Sequence, residues 1–437
     1  MTPKRLAAGL ALALASLCAR AEDLLAVYHD ALTTDSVFQA ARAQYRAGVE
    51  ALPQARAGYL PVLSGTASAF HNQISPNTGQ SFDYNTTTYA VTLSQPLFRA
   101  QNWVQIGQAR LQVLQAEAAL AGAQQDLILR VAQAYFDVLL ARDNVALSGS
   151  QKTAISEQLA QAKRNFEVGT ATIVDTLEAQ ARYDQANAKE ISDKNDLEVK
   201  RRALQVLLGR EPGGLTPLKE PLVLAPPQPA DIEAWVKEGG ASNFSVVAAR
   251  ANQEIAHEEI RKQKAGYLPT LDATASYGRL YNPTQSIEGV IGPVQNSGSF
   301  GITLSMPFLN GGLTTSLVRQ AVANAEKADQ DLESTGRNVA QSIRTSFLNV
   351  TSGIAQVRAL EQAQTSTQSQ LDSTILGRDV GVRTSVDVLN AQQQVYQTRR
   401  DLQQARYNYL INTLQLKSAA GQLAEADVEA VNRALAH

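Results

Sequence analysis

The stretch that decides the fold is residues 380–392, which read Val-Gly-Val-Arg-Thr-Ser-Val-Asp-Val-Leu-Asn-Ala-Gln. This order is typical of a tight turn that leads into a helix. Gly381 permits unusual backbone angles, and Thr384 and Asp387 have the spacing of a helix N-terminal cap. Residues 168–180 repeat the pattern as Val-Gly-Thr-Ala-Thr-Ile-Val-Asp-Thr-Leu-Glu-Ala-Gln. The sequence therefore predicts two equivalent turns.

The repetition extends well beyond the turns. The pentapeptide Ala-Gly-Tyr-Leu-Pro occurs at 57–61 and again at 265–269, and Thr-Leu-Ser occurs at 92–94 and 303–305. Each pair is separated by a nearly constant interval, which is the sign of a tandem duplication. We therefore divide the chain into repeat 1, residues 22–230, and repeat 2, residues 231–437.

Each repeat is predicted to contain the same order of secondary-structure elements. In repeat 1 a helical pattern over 24–56 leads to a β-hairpin at about 61–95. A proline-free region at about 102–208 then predicts a long helical hairpin, followed by a Pro- and Gly-rich linker. Repeat 2 predicts a helix, a β-hairpin at about 269–306, a helical hairpin at about 313–420 and a C-terminal segment. The fold class is mixed α/β, with four strands and two long helical hairpins.

The N-terminus predicts export from the cytoplasm. Lys4 and Arg5 precede an apolar run over 6–17, and Ala-Arg-Ala at 19–21 has the form of a cleavage site. Residues 1–21 are therefore predicted to be a signal peptide that carries Cys18 away, without lipid attachment. After it no apolar run is long enough for a membrane helix, so a membrane crossing would have to use strands. The strands alternate apolar residues with Ser and Thr, which suits this role.

Other classes of function find little support in the sequence. The net charge of −2 gives no electrostatic signal for nucleic-acid binding. The four histidines are scattered, and we find no nucleophile motif or phosphate loop. We predict neither catalysis nor a cofactor or metal. Four strands alone cannot close a sheet in lipid, and three symmetric copies would supply twelve.

These features together resemble the TolC-like outer-membrane channel-tunnel family, the outer membrane efflux proteins. The resemblance is carried by the two Ala-Gly-Tyr-Leu-Pro segments, by residues 339–350 and above all by residues 380–421. It implies a homotrimer with a twelve-stranded β-barrel in outer-membrane lipid, continued by a periplasmic α-helical barrel. It also implies an exit duct for drugs or secreted proteins. Such a duct docks to a periplasmic adaptor (membrane fusion protein) and an inner-membrane ABC, RND or MFS transporter.

The resemblance also assigns site residues at the helical turns. Asp175 and Arg383 match a latch that closes the tip, and Arg378 stands nearby where the family usually has tyrosine. Asp387 and Asn390 match a constriction ring, in which Asn390 replaces a second carboxylate. From spacing alone, Asp175 and Asp387 are equally well explained as helix caps.

The two turns themselves match the segments that meet the adaptor, although each glycine is also explained by the turn alone. The docking residues implied are Val168, Gly169, Thr170, Val380, Gly381 and Val382. Two alternatives are a periplasmic adaptor and a structural coiled-coil protein of the envelope. An adaptor needs one helical hairpin rather than two, and a coiled-coil protein leaves the strands unexplained. The sequence does not specify the cargo.

Overall fold

The computed structural model describes residues 22–75, 77, 79, 81–283 and 293–436. The predicted signal peptide lies outside them. The chain forms two compact units. One contains the described residues up to Ala43, then Ala119–Val246 and the residues from Thr335 onward; the other contains Gln44–Ala118 and Val247–Ser334. Each unit combines segments of both sequence repeats.

A four-stranded antiparallel sheet lies in the second unit. Its strands are β1 (Val62–Ile74), β2 (Phe82–Phe98), β3 (Thr270–Tyr281) and β4 (Val294–Ser305), in the order β1-β2-β3-β4. β1 and β2 come from repeat 1, and β3 and β4 come from repeat 2. The central β2–β3 pairing therefore joins the two hairpins into one sheet, and the predicted α/β fold class with four strands is confirmed.

The register gives this sheet two chemically different faces. One cross-strand row consists of Leu63, Leu93, Ala275 and Phe300, and the adjacent row consists of Ser64, Thr92, Ser276 and Ser299. Leu63 is 70% exposed and Phe300 is 79% exposed, so the apolar face is uncovered in the single chain. On the other face the Ser276 and Ser299 hydroxyls are 2.8 Å apart. The apolar and hydroxyl-bearing residues that alternate along each strand are thus in register across all four strands, so each face of the sheet has its own chemical character.

The helical pattern at 24–56 forms three helices instead of one: α1 (Leu24–Thr34), α2 (Ser36–Val49) and α3 (Ala51–Ala57). The first break occurs at Asp35, whose backbone is extended. Its carboxylate accepts a hydrogen bond of 2.7 Å from the Phe38 amide and so caps α2. The Arg130 guanidinium holds the same carboxylate at 2.6 Å. The apolar spacing indicated helix correctly but did not reveal this cap.

Long helices dominate the remainder of the chain. Repeat 1 continues with α4 (Ala100–Glu167) and α5 (Ile173–Leu208), which have 68 and 36 residues. Two shorter helices follow, α6 (Ile232–Ser242) and α7 (Phe244–Lys264). Repeat 2 adds α8 (Leu313–Asp379) and α9 (Ser385–Ala419), with 67 and 35 residues, and then α10 (Glu425–Asn432). None of the helices in the described residues is long and apolar enough to cross a membrane.

The largest hydrophobic core lies in the first unit, where both helical hairpins contribute aromatic side chains. Tyr135 and Phe136 of α4 are fully buried, and their rings meet edge to face with centroids 5.7 Å apart. Phe136 also packs against Tyr407 of α9. The Tyr407 hydroxyl donates a 2.7 Å hydrogen bond to Asp143, so the polar end of this buried ring is satisfied. This core fixes the two hairpins from which the turns project.

Candidate gate and docking site at the helical turns

The first turn, between α4 and α5, is closed by a glycine in the left-handed region. Gly169 has φ +76°. Its amide donates to the Phe166 carbonyl at 3.0 Å, and the next amide, that of Thr170, donates to the Asn165 carbonyl at 2.8 Å. These two hydrogen bonds define a Schellman motif, which satisfies carbonyls that the end of a helix leaves free.

The second turn, between α8 and α9, reproduces this geometry bond by bond. Gly381 has φ +82°. Its amide donates to the Arg378 carbonyl at 3.0 Å, and the Val382 amide donates to the Gly377 carbonyl at 2.8 Å. The donors and acceptors occupy the same relative positions as in the first turn. Duplication of the sequence has therefore duplicated the hydrogen-bond pattern.

Reciprocal capping boxes begin the helices that follow both turns. The Asp175 carboxylate accepts from the Thr172 amide at 2.9 Å, and the Asp175 amide donates to the Thr172 hydroxyl at 3.3 Å. The corresponding distances between Asp387 and Thr384 are 2.9 Å and 3.1 Å. The structural interpretation of both aspartates, as helix caps, is therefore realised in the single chain.

The caps lower the pKa of both carboxyl groups. For Asp175 the largest cause is the Thr172 hydroxyl, followed by the Thr172 amide. For Asp387 the Thr384 amide comes first, then its hydroxyl, and the positive charge of Arg383 adds a smaller contribution. Hydrogen bonds to a carboxylate favour its charged form. Both turns therefore carry a negative charge at neutral pH, and a neighbouring cation contributes to the lowered pKa of Asp387 but not to that of Asp175.

Aliphatic side chains stand in solvent at the two turns. Val168 is 73% exposed, Val380 is 67% exposed and Val382 is 76% exposed. Next to them Gly169, Thr170 and Gly381 are also exposed. The predicted docking residues therefore form two small, accessible tips with exposed valines on hydrogen-bonded turns.

Asp175 and Arg383 are not brought together within one chain. Of the ion pairs among the described residues, none joins these two side chains. The Arg383 side chain instead folds back over its own turn, because Gly377 leaves room for it: a Cβ at that position would lie 2.8 Å from the Arg383 Cγ. The latch assigned to this pair remains a prediction.

Arg378, by contrast, links the two helical hairpins inside the chain. Its guanidinium donates to Gln158 at 3.1 Å and to Gln161 at 3.4 Å, both on α4. It also pairs with the neighbouring Asp379 at 2.7 Å. The Arg378 side chain is only 17% exposed, so within the single chain this cation forms a contact between the hairpins, and its role near the latch stays a prediction.

Asn390 also meets the other hairpin, through a residue that the sequence analysis missed. Its side-chain oxygen accepts from Arg182 of α5 at 3.1 Å, and Arg182 also donates to Gln393 at 2.9 Å. The spacing of Glu178 and Arg182, four residues apart, was a signal for an ion pair along α5, and the two lie at 3.4 Å. That spacing gave no indication of the contact with α9.

The fold and the turns define a class: an outer-membrane channel protein with a lipid-compatible sheet and long helical hairpins. Comparison with known families agrees. The family model described as "Outer membrane efflux protein" matches residues 27–210 and again residues 235–422. The chain belongs to the outer membrane efflux protein family. This is a family of channels rather than of enzymes, and the described residues contain no cluster of His, Cys, Asp and Glu that could hold a metal.

Relatives cover nearly the whole chain. It is 37% identical to outer membrane protein TolC of Escherichia coli (strain K12), over 98% of this chain and 88% of that protein. It is 32% identical to the alkaline protease secretion protein AprF of Pseudomonas aeruginosa, over 93% and 86%. The fold is similar to those of two solved channels. VceC of Vibrio cholerae gives a TM-score of 0.76 at 19% identity, over 91% of this chain and 96% of that chain. The open state of MtrE of Neisseria gonorrhoeae gives 0.73 at 18% identity, over 92% and 90%.

These findings confirm the functional class predicted from the sequence. The protein is an outer-membrane exit duct of the efflux and type I secretion class, and it extends into the periplasm. The adaptor alternative is not favoured, since relatives across the full length of the chain are outer-membrane proteins.

Proposed function

We propose that three copies of this chain form the duct and that its six helical turns form one gated entrance, to which a periplasmic adaptor docks. The observation that carries this proposal is the structural likeness of the two turns. Each has the same glycine geometry, the same cap and exposed valines. A turn that served only to reverse the chain would need no aliphatic side chains in solvent. Exposed apolar groups that lie together are typical of a protein-binding surface.

The free edges of the sheet support the trimer. Within the described residues β1 pairs only with β2, and β4 pairs only with β3, so each has one unpaired edge. Unpaired backbone groups are costly next to lipid, and pairing between copies would satisfy them. Cyclic symmetry of three chains provides this pairing without an end.

The gate in this proposal is a set of weak contacts that a partner opens. Arg383 and Asp175 form no pair within a chain, so in a trimer Arg383 is available to the Asp175 of a neighbouring copy. Asp387 and Asn390 then form the constriction. An exposed ion pair stabilises by roughly 0–1 kcal/mol, which suits a latch that must be reversible.

The latch is tested by single-channel conductance in planar bilayers. Arg383→Ser removes the cation, and we expect a larger conductance than in the unmodified protein. Ala171→Ser is the matched control, because Ala171 holds the equivalent position in the first turn and carries no charge. Equal conductance for Arg383→Ser and the unmodified channel would refute the latch.

Docking at the turns is tested by site-directed cross-linking to the adaptor. Val168→Cys and Val380→Cys place a thiol on each turn, and the sequence has a single native cysteine, Cys18, within the predicted signal peptide. Val223→Cys is a matched control in the linker, since Val223 is 84% exposed. We expect cross-links from the two turn positions. Cross-links from Val223 alone would place docking elsewhere.

The matching family is described as one of efflux proteins, whereas AprF, which is similar over most of its length, is a protease secretion protein. Two classes of cargo therefore come into question. We propose that the chain carries drugs or secreted proteins and works with an ABC, RND or MFS transporter. Affinity capture of the assembled complex, followed by identification of the transporter, separates these possibilities.

A further inference from the structure

A small cavity lies between the two helical hairpins, beside the contact of Arg182 with Asn390. Its walls come from α4, α5 and α9, and its volume is about 190 Å³. Three cationic side chains line it, Arg182, Lys189 and Arg400. All other lining side chains are neutral, chiefly glutamines and Tyr396. The lining therefore contains cations and hydrogen-bond donors but no carboxylate.

The nearest carboxylates stand behind the cations rather than in the cavity. Asp193 pairs with Lys189 at 2.8 Å and lies 3.6 Å from Arg400, so one carboxylate is shared by two cations. Asp193 is only 5% exposed. Glu178 is 3.4 Å from Arg182. The lining itself thus carries three cations, whereas Asp193, Glu178 and Glu157, whose charge acts on Tyr396, stand outside it.

Arg400 has donors that the protein does not satisfy. Its side chain is 25% exposed, and its Nε is buried without a hydrogen-bond partner. Among the described residues no hydrogen bond to the Arg400 guanidinium is formed; the contact with Asp193 at 3.6 Å is too long to be one. A buried Nε–H without an acceptor is costly, and a planar or tetrahedral oxyanion matches the geometry of this half-buried guanidinium.

Tyr396 supplies a further donor at the same cavity. Burial raises the pKa of its hydroxyl, so this group keeps its proton at neutral pH. The side-chain amides of Gln151, Gln185, Gln393 and Gln397 also line the cavity.

We propose that this cavity binds a small multivalent oxyanion of the phosphate or sulfate type. The anion would bridge α5, which carries Arg182 and Lys189, and α9, which carries Arg400. Because these helices belong to different hairpins, the bound anion would hold the hairpins together a short distance from the gate. The lining contains none of the predicted latch and ring residues, although one of its cations, Arg182, donates a hydrogen bond to Asn390.

The test is calorimetric titration of the full-length mature protein in detergent with inorganic phosphate, and separately with sulfate. We expect saturable binding of one anion per chain. Arg400→Gln and Lys189→Gln should each weaken it by about tenfold or more, because each removes a charge-assisted contact. Arg202→Gln is the matched control: Arg202 also lies on α5 but pairs with Glu198 at 2.7 Å, outside the cavity. Its affinity should be unchanged.

A variant that should bind phosphate more tightly gives a more stringent test. Asp193→Asn removes the carboxylate that competes for Lys189 and Arg400, and phosphate should then bind about fivefold more tightly. A purely structural role for Asp193 predicts weaker binding or none. Phosphate should also raise the thermal unfolding temperature of the unmodified protein but not of Arg400→Gln. Absence of saturable binding, equal affinity in Arg400→Gln, or an equal response to chloride at matched ionic strength would overturn the site.

Discussion

The two helical turns share a backbone but differ in the side chains around it. Both have a left-handed glycine, a Schellman motif and a Thr-Asp capping box. The second turn carries Arg378 and Arg383 where the first carries Phe166 and Ala171. The shared part satisfies the backbone groups of a helix end. The two arginines give the second turn contacts that the first lacks, since Arg378 reaches Gln158 on α4 and Arg383 packs over its own turn.

Gly377 leaves room for the Arg383 side chain in the second turn. Its counterpart in the first turn is Asn165, an ordinary residue with a side chain. In the second turn a Cβ at position 377 would lie 2.8 Å from the Arg383 Cγ, so only glycine leaves this arginine room to fold over the turn. The glycine in the second repeat is thus explained by packing rather than by backbone angle.

The largest expected effect concerns the part that the turns share. Gly169→Val and Gly381→Val each force a β-branched residue into the left-handed region, which costs about 2 kcal/mol. We expect the free energy of local opening to fall by a similar amount at each turn, measured by native-state hydrogen exchange of the amides around it. No Cβ clash adds to this cost, because space around both glycines is open. A large effect at one turn and none at the other would break the equivalence.

The capping residues should give a smaller, equal effect. Thr172→Ala removes the hydroxyl that accepts a hydrogen bond from the Asp175 amide, and Thr384→Ala does the same for the Asp387 amide. Loss of such a cap costs about 1 kcal/mol. The same exchange measurement, at the first amides of α5 and α9, reports it. Thr172→Ser and Thr384→Ser keep the hydroxyl and serve as controls that should retain most of the protection.

We expect both capping aspartates to make the local stability of their turns depend on pH in the same direction. Both have a lowered pKa in the folded protein, so each stabilises its turn fully above the ordinary aspartate pKa of about 3.9. That contribution is lost as the pH falls through the lowered pKa. The difference in local stability between the unmodified protein and Asp175→Asn, or Asp387→Asn, should therefore shrink on acidification.

Salt then distinguishes the two aspartates. Arg383 contributes to the lowered pKa of Asp387, whereas the pKa of Asp175 is lowered by the cap alone. Added salt screens exposed charges, so it should reduce the contribution of Asp387 more than that of Asp175. Equal salt responses in the exchange measurement would mean that Arg383 has no electrostatic influence on its own turn.

Local sequence features predicted the turns well because their determinants are local. Val-Gly and Thr-x-x-Asp specify a left-handed glycine and a cap within eight residues, and both appear in the structure. The contacts of Arg182 with Asn390 and of Arg378 with Gln158 join residues more than 200 positions apart. They depend on how the two hairpins pack, which periodicity along one helix does not encode. The break at Asp35 was missed for a different reason, since a single capping carboxylate interrupts a helix without changing its apolar spacing.

The smallest expected effect concerns a position at which the two repeats have different residues. Glu178 in the first repeat corresponds to Asn390 in the second, and both side chains lie against Arg182. Asn390→Asp would place a second carboxylate on this arginine and add one negative charge per chain near Asp387. A carboxylate ring at a constriction favours cations. We therefore expect a modest shift of the reversal potential in a potassium chloride gradient towards cation selectivity, with little change in conductance.

The matched control for this substitution is Glu178→Gln. It removes a charge from the same arginine on the first repeat, and if only α9 faces the constriction it should leave the reversal potential unchanged. If Glu178→Gln and Asn390→Asp shift the potential by equal and opposite amounts, both repeats face the pore. If Asn390→Asp has no effect, Arg182 neutralises the new charge, and the contact between the hairpins, rather than the ring, determines the function of this position.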